Sequence, residues 1–120
     1  MKTTQIKSIF SILITGFLLS ACNTLHSTTT IQAKDAFILG NNQHGRFAAS
    51  VTNTSAFPVS IWQYPIDGGR HSPIILQPTE NAKIRVDKNT ALRIENTSEK
   101  SVDVKLVVKG DVGLSMGYQK

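Results

Sequence analysis

The chain has 120 residues, of which 40% are hydrophobic, 13 are lysine or arginine and 8 are aspartate or glutamate, for a net charge of +5. This length fits one small domain, and the positive charge is too small and too scattered to indicate a nucleic-acid-binding protein. The lone cysteine, Cys22, excludes an intrachain disulfide, so hydrophobic burial has to stabilise the fold.

The first segment of the chain is typical of an export signal. Lys2 and Lys7 form a basic start, and an apolar stretch of eleven residues follows over 9–19. That length suits the hydrophobic region of a signal peptide and is too short to span a bilayer, which takes about 20 apolar residues. Residues 1–21 are therefore predicted to be a signal peptide that is removed.

The signal ends in Leu19-Ser20-Ala21-Cys22, which resembles the lipobox of bacterial lipoproteins: a leucine, two small residues and the cysteine that takes the lipid. The resemblance implies a diacylglyceryl group on the Cys22 thiol and cleavage just before that residue. An ordinary signal peptide with an incidental cysteine is the alternative, but a free lone thiol is unusual in an exported protein. In enteric bacteria, an aspartate directly after the lipidated cysteine favours retention in the inner membrane. This chain has Asn23 at that position. The resemblance thus implies a lipid anchor in the bacterial outer membrane, with the protein facing the periplasm.

Residues 22–34 are polar and show no clear period, which predicts a lipidated cysteine followed by a flexible tether. The alternative is that residues around 30–33, at the end of this segment, join the sheet as its first strand. His26 lies in the segment, and we expect it to be solvated rather than bound to a metal.

From residue 35 to residue 120, short β-type runs alternate with turn residues and no stretch has helical periodicity. In the clearest run, Val102, Val104 and Leu106 alternate with charged residues, which predicts one buried and one wet face, as in antiparallel sheets. The predicted domain is all-β: a small antiparallel β-sandwich of seven to eight short strands, immunoglobulin-like with Greek-key connections. The predicted strands are 36–40, 46–53, 57–64, 73–77, 82–87, 91–96, 101–109 and 114–119.

The sequence Asn-Thr-Ser occurs between strands at Asn53 and again, forty-three residues later, at Asn96. An asparagine side chain bonds readily to the backbone two residues further on, so both triplets predict corners between strands. Both also match the N-glycosylation sequon, but the turn interpretation is preferred for a bacterial lipoprotein.

A three-residue loop around 88–90 is expected to close a hairpin that pairs Val86 with Leu92 and Ile84 with Ile94. This register keeps the apolar residues on one face, whereas a two-residue loop would mix the two faces.

Trp62 and Tyr64 are the residues that best suit a binding surface. If Val59 and Ile61 of the same strand point inward, the two aromatic rings lie together on the opposite face, where they can stack on a sugar or receive a peptide. The alternative is a core tryptophan of the kind found in immunoglobulin-like sandwiches. With the adjoining loop, the candidate binding surface comprises Trp62, Tyr64, Arg70 and His71.

The sequence contains no catalytic or metal-binding pattern. Histidine and acidic residues do not form a zinc-type cluster, and no serine lies in a Gly-x-Ser-x-Gly motif. A site between His44 and His71 would require their loops to converge. We therefore expect a non-catalytic protein without metal or cofactor that binds an envelope protein or glycan and no nucleic acid. The alternatives are a glycan- or peptidoglycan-fragment-binding module and an accessory lipoprotein of a secretion apparatus.

Overall fold

The computed structural model describes residues 24–66, 68–69 and 72–119. These residues form nine β-strands, and none of the described segments forms a helix able to span a membrane. The strands are β1 (Thr24–Ile31), β2 (Ala36–Leu39), β3 (Phe47–Asn53), β4 (Val59–Pro65), β5 (Ile74–Leu76), β6 (Asn81–Val86), β7 (Thr90–Glu95), β8 (Val102–Gly110) and β9 (Met116–Tyr118).

The strands form two antiparallel sheets, a four-stranded sheet with the order β1-β8-β3-β6 and a five-stranded sheet with the order β5-β4-β7-β2-β9. The predicted all-β antiparallel sandwich is confirmed, with one strand more than the predicted range. Within that class, the order of β1 to β8 is that of a jelly roll, in which two Greek keys wind into two facing sheets. An immunoglobulin domain distributes its strands in a different order.

One hydrophobic core lies between the sheets. Val104 and Leu106 of β8 point into it from the four-stranded sheet, and Leu92 and Ile94 of β7 point into it from the five-stranded sheet. All four are almost completely buried. Burying a side chain of this kind contributes about 1.5–3 kcal/mol, so the core stabilises the sandwich without a disulfide.

The sequence predicts a flexible tether over residues 22–34, but Thr24–Ile31 forms β1 and pairs along its whole length with β8. Threonine suits a strand because its branched side chain packs well on a pleated surface. The inward positions of β1 include Ser27 and Thr29, whose hydroxyl oxygens lie 3.1 Å apart and form a hydrogen bond. Because these inward residues are polar, β1 lacks the alternation of apolar and polar residues from which a strand is predicted. Cys22 and the predicted signal peptide lie outside the described residues.

The predicted hairpin between β6 and β7 is wrong. Among the described residues β6 pairs with β3 alone, so that Val86 lies opposite Phe47, whereas Leu92 of β7 pairs with Leu39 and Gln63 in the other sheet. The loop between the two strands therefore crosses from one sheet to the other. The apolar residues of β6 and β7 still share one interior, but they meet across the core rather than side by side.

The loops gather at the two ends of the sandwich. The end with the two Asn-Thr-Ser triplets, here called the corner end, contains loops 32–35, 54–58, 77–80 and 96–101. The opposite end, called the Thr24 end because β1 begins there, contains loops 40–46, 66–73, 87–89 and 111–115. Residues 68–69 and 72–73 are among the described residues of the second loop.

The two halves of the sandwich have the same plan. When each strand is replaced by the one four places away in the chain, the order β1-β8-β3-β6 of the four-stranded sheet becomes β5-β4-β7-β2. This is the order of the first four strands of the other sheet. The strands β1 to β4 thus correspond to β5 to β8, and the two corners occupy matching places. β9 has no counterpart among the described residues of the four-stranded sheet.

Candidate binding surface

β4 places its aromatic side chains on the outer face of the five-stranded sheet. Val59 and Ile61 point into the core, and Trp62 and Tyr64 are half-buried on the opposite side. The centroids of the two rings are 6.4 Å apart and the rings are tilted by 45°. Trp62 therefore contributes to an outer aromatic pair and not to the core between the sheets.

An ion pair on β7 holds the indole of Trp62. The Nε1–H of Trp62 donates to Oε1 of Glu95 over 3.3 Å, and Nη2 of Arg93 donates to the other carboxylate oxygen over 3.2 Å. The Arg93 side chain is only 15% exposed, so water screens this pair less than a surface pair. The contact with Glu95 fixes the orientation of the tryptophan ring.

A shallow depression of about 420 Å³ lies beside Tyr64 on the same face. Ile38 and Ala91 give it apolar walls, while the guanidinium of Arg93 and the side chain of Gln119 hydrogen-bond to each other. An apolar recess with a few polar groups is the usual composition of a ligand-binding surface. Its lining residues are Ile38, Asn41, Tyr64, Ala91, Arg93 and Gln119.

The sequence indicated Trp62 and Tyr64 because they alternate with Val59 and Ile61, and the structure adds the depression beside Tyr64. It also adds Arg93 and Glu95, which sequence analysis missed because they lie on β7, far from β4 in the chain. Arg70 and His71, the other two residues of the candidate surface, lie outside the described residues.

His44, considered for a metal site with His71, is buried in loop 40–46. Its Nδ1 lies 2.6 Å from the carbonyl oxygen of Gly45, and its Nε2 lies 2.8 Å from that of Thr90. The Nε2 contact thus joins loop 40–46 to the start of β7, and the Nδ1 contact lies within the loop. Within the part of the chain that the structure describes, no three histidine, cysteine or acidic residues are arranged to hold a metal ion.

Asp111 also forms a hydrogen bond to loop 40–46. Its carboxylate accepts the backbone N–H of Gly45 over 2.6 Å and that of Gly113 over 2.8 Å. These two bonds, the one from Gly45 foremost, hold the pKa of Asp111 below its ordinary value; desolvation opposes them, and the nearby His44 lowers the pKa further. The carboxylate is therefore the form that fastens loop 111–115 to loop 40–46.

A second depression, of about 580 Å³, opens at the Thr24 end. It lies between strands and loops that are distant in sequence, so no local sequence motif predicts it. Its lining residues are Arg46, Gln63, Pro65, Ile66, Asp87, Lys88, Asn89 and Thr90.

No protein-family model matches the chain, and no curated protein matches it in sequence. In structure it is similar to the capsular polysaccharide assembling protein CapF from Staphylococcus aureus, with a TM-score of 0.56 and 11% identity over 75% of this chain. It is also similar to procruciferin, an 11S globulin from Brassica napus, with a TM-score of 0.53 and 9% identity over 78% of this chain. The chain spans only 24% of CapF and 22% of procruciferin.

A third similar structure comes from Bacillus endospore appendages, described as disulfide-linked pili. Its TM-score is 0.52, with 16% identity over 76% of this chain and 87% of that one. At these identities the similarities show the fold alone. Because an 11S globulin and a pilus share that fold, it does not identify an activity.

Proposed function

We propose that this protein is a non-catalytic lipoprotein of the bacterial outer membrane whose sandwich binds another cell-envelope component. The observation that carries the proposal is the outer face of the five-stranded sheet, where Trp62 and Tyr64 lie beside the ion pair of Arg93 and Glu95. Aromatic rings with a polar handle, next to a partly buried arginine, are the side chains that dominate binding energy at protein interfaces.

The chemistry of this face suits binding rather than catalysis. Its described side chains offer aromatic area, one ion pair and the amides of Asn41 and Gln119, which are groups that hold and orient a partner. The interior between the sheets is filled by aliphatic side chains and by the rings of Phe37 and Phe47. A partner therefore has to bind to the outer surface of the sandwich.

The membrane address rests on the lipobox-like Leu19-Ser20-Ala21-Cys22. Each buried methylene of an acyl chain contributes about 0.8 kcal/mol, so two or three chains hold a protein firmly where one does not. Replacing Cys22 with serine is expected to leave an uncleaved precursor that takes up no fatty-acid analogue. Labelling that persists in Cys22→Ser would contradict the anchor.

The binding face is tested by site-specific photo-crosslinking in intact cells. A photoreactive amino acid at Ile75, on the outer side of β5, is expected to trap a defined partner, while the same group at Lys83, on the outer side of β6, traps none. Trp62→Ala should then reduce the trapped product at least tenfold, because the ring supplies much of the contact. The matched control Lys83→Ala should leave it unchanged.

Stability has to be measured on the same variants. Because Trp62 is half-buried and packs on Tyr64, Trp62→Ala is expected to cost about 1–2 kcal/mol, less than the 3–5 kcal/mol of a core aromatic. A cost in the core range, or a trapped product that survives Trp62→Ala, would count against the binding face.

A glycan or peptidoglycan fragment is the alternative partner, favoured by the aromatic pair beside amide groups. Digestion with muramidase distinguishes the two classes, since it shifts a glycan adduct and leaves a protein adduct unchanged. A protein adduct from a secretion apparatus would identify the accessory role.

A further inference from the structure

The distance between the proposed lipid anchor and the sandwich is very short. Only Asn23 separates Cys22 from Thr24, the first residue of β1, and Thr24 is already paired with Lys109 of β8. Two residue steps reach about 7 Å at most, whereas the nine residues of β8 extend over about 30 Å. If Cys22 carries the lipid, as the proposed function holds, the Thr24 end has to lie at the membrane and the corner end has to point away.

The Thr24 end carries exposed apolar side chains. Ile66 is 51% exposed after β4, and Met116 is 44% exposed where β9 begins. Large apolar side chains in these positions gain from insertion at a headgroup boundary. At the corner end, Phe57 is 37% exposed in loop 54–58, and Tyr118, which pairs with Phe37 where β9 ends, is 50% exposed, so the apolar side chains alone do not distinguish the two ends.

The balance of charged residues differs between the two ends of the sandwich. Among the described residues of the Thr24 end, Arg46, Lys88 and Lys109 outnumber Asp87 and Asp111, which gives a net charge of +1. The corner end has the opposite balance, with two lysines against four acidic residues: Lys34 and Lys100 against Asp35, Glu80, Glu99 and Asp103. A basic end suits the negative surface potential of a leaflet that contains anionic lipid.

Arg46, Ile66 and Lys88 border the depression of about 580 Å³, so cationic and apolar groups meet at one recess on this end. We propose that the Thr24 end docks on the phospholipid leaflet that holds the acyl chains, with Ile66 at the headgroup boundary and Arg46 and Lys88 on anionic headgroups. The binding face of the five-stranded sheet then stands perpendicular to the membrane, and the corner end faces the periplasm.

The test uses the full lipidated chain in vesicles of phosphatidylethanolamine and phosphatidylglycerol. An environment-sensitive fluorophore is attached to one introduced cysteine at a time, since acylated Cys22 does not react: Gln43→Cys and Ser115→Cys, at exposed positions of one end, and Phe57→Cys and Thr97→Cys at the other. A nitroxide on the lipid headgroup should quench the first two probes at least fivefold more strongly than the second two. Equal quenching at both ends would overturn the orientation.

A longer tether separates docking from mere proximity. With about 20 Gly/Ser residues inserted between Asn23 and Thr24, the reach rises to roughly 25 Å, and stronger quenching at Gln43→Cys and Ser115→Cys than at the corner end should persist in anionic vesicles. In this long-tether chain, Ile66→Asp with Arg46→Glu should abolish the preference reported by the probe at position 43, and the control Phe57→Asp should not. A long-tether chain without any preference in anionic vesicles would overturn docking through these side chains.

The outcomes also separate this inference from the function on which it rests. A chain that does not float with the vesicles overturns the lipid anchor and, with it, the orientation. A chain that floats but shows equal quenching at its two ends overturns the orientation and leaves the anchor intact.

Discussion

The two ends of the sandwich differ in how their polar groups are used. At the corner end, Asn53 and Asn96 are completely buried and their side chains bond to the backbone of several strands. At the Thr24 end, Ile66 and Met116 are exposed, and Arg46 and Lys88 border an open depression. The comparison indicates that one end closes the fold and the other end is available for contact.

The two corners at the closed end are built alike. The Oδ1 of Asn53 accepts the N–H and hydroxyl of Ser55, and that of Asn96 accepts the same groups of Ser98, all over 2.6–2.9 Å. Each Nδ2 donates over 2.7 Å to the carbonyl four residues later. Asn53 then reaches the carbonyl of Leu76 in β5, whereas Asn96 reaches two carbonyls at the end of β1.

The largest expected effect is that of Asn96→Ala. Removing this side chain leaves buried carbonyl groups of Ile31 and its neighbours without a donor, at about 1–3 kcal/mol for each group that stays unsatisfied. We expect a loss of about 3–4 kcal/mol in the free energy of unfolding, measured by denaturant titration. Asn53→Ala, with one fewer neighbouring carbonyl, should cost about 2–3 kcal/mol. The exposed neighbour Thr97→Ala is the control, and an Asn96→Ala cost no larger than its own would remove the distinction between the ends.

At the Thr24 end, the buried side chain of His44 joins loop 40–46 to Thr90. His44→Ala removes the ring that links Gly45 to Thr90 and is expected to cost about 2 kcal/mol by the same measurement. The exposed Gln43→Ala should change stability by less than about 0.5 kcal/mol. If His44→Ala costs more than Asn96→Ala, the Thr24 end carries more of the stability than its open surface suggests.

The smallest effect concerns Asp111 and depends on pH. Because the folded protein lowers the pKa of Asp111, its charged form adds stability above the ordinary aspartate pKa of about 3.9, and this is lost as the pH falls through the lower folded value. Asp111→Asn should therefore be less stable than the parent chain at pH 7, with the difference shrinking below pH 4. An equal difference at both pH values would show that the charge of Asp111 plays no part.

Alternation predicted most strands because most inward positions are apolar, as in β8 and β4. It missed most of β1 because Ser27 and Thr29 take inward positions there and satisfy each other's hydroxyl groups. It could not assign β6 and β7 to different sheets, since an apolar face looks the same whether its partner lies beside it or across the core. Pairing of that kind is decided by the whole set of strands and not by one loop.

The candidate surface was predictable to the same limited extent. The outward direction of Trp62 and Tyr64 follows from the period of two along β4. The contact between Trp62 and Glu95, and the recess beside Tyr64, depend on the register of β4 against β7. The asparagine corners were expected from local turn chemistry, but their bonds to β1 and β5 join segments far apart in the chain.

The interleaving of the two halves determines when the domain can form. The four-stranded sheet takes β1 and β3 from the first half of the chain and β6 and β8 from the second, and β8 lies between β1 and β3. A chain that ends before β8 leaves β1 and β3 without the strand that joins them. Such non-local pairing slows folding, because distant segments must meet before any sheet gains its partners. We therefore expect the four-stranded sheet to form only when the last quarter of the chain is present, whereas four of the five strands of the other sheet are complete by Glu95.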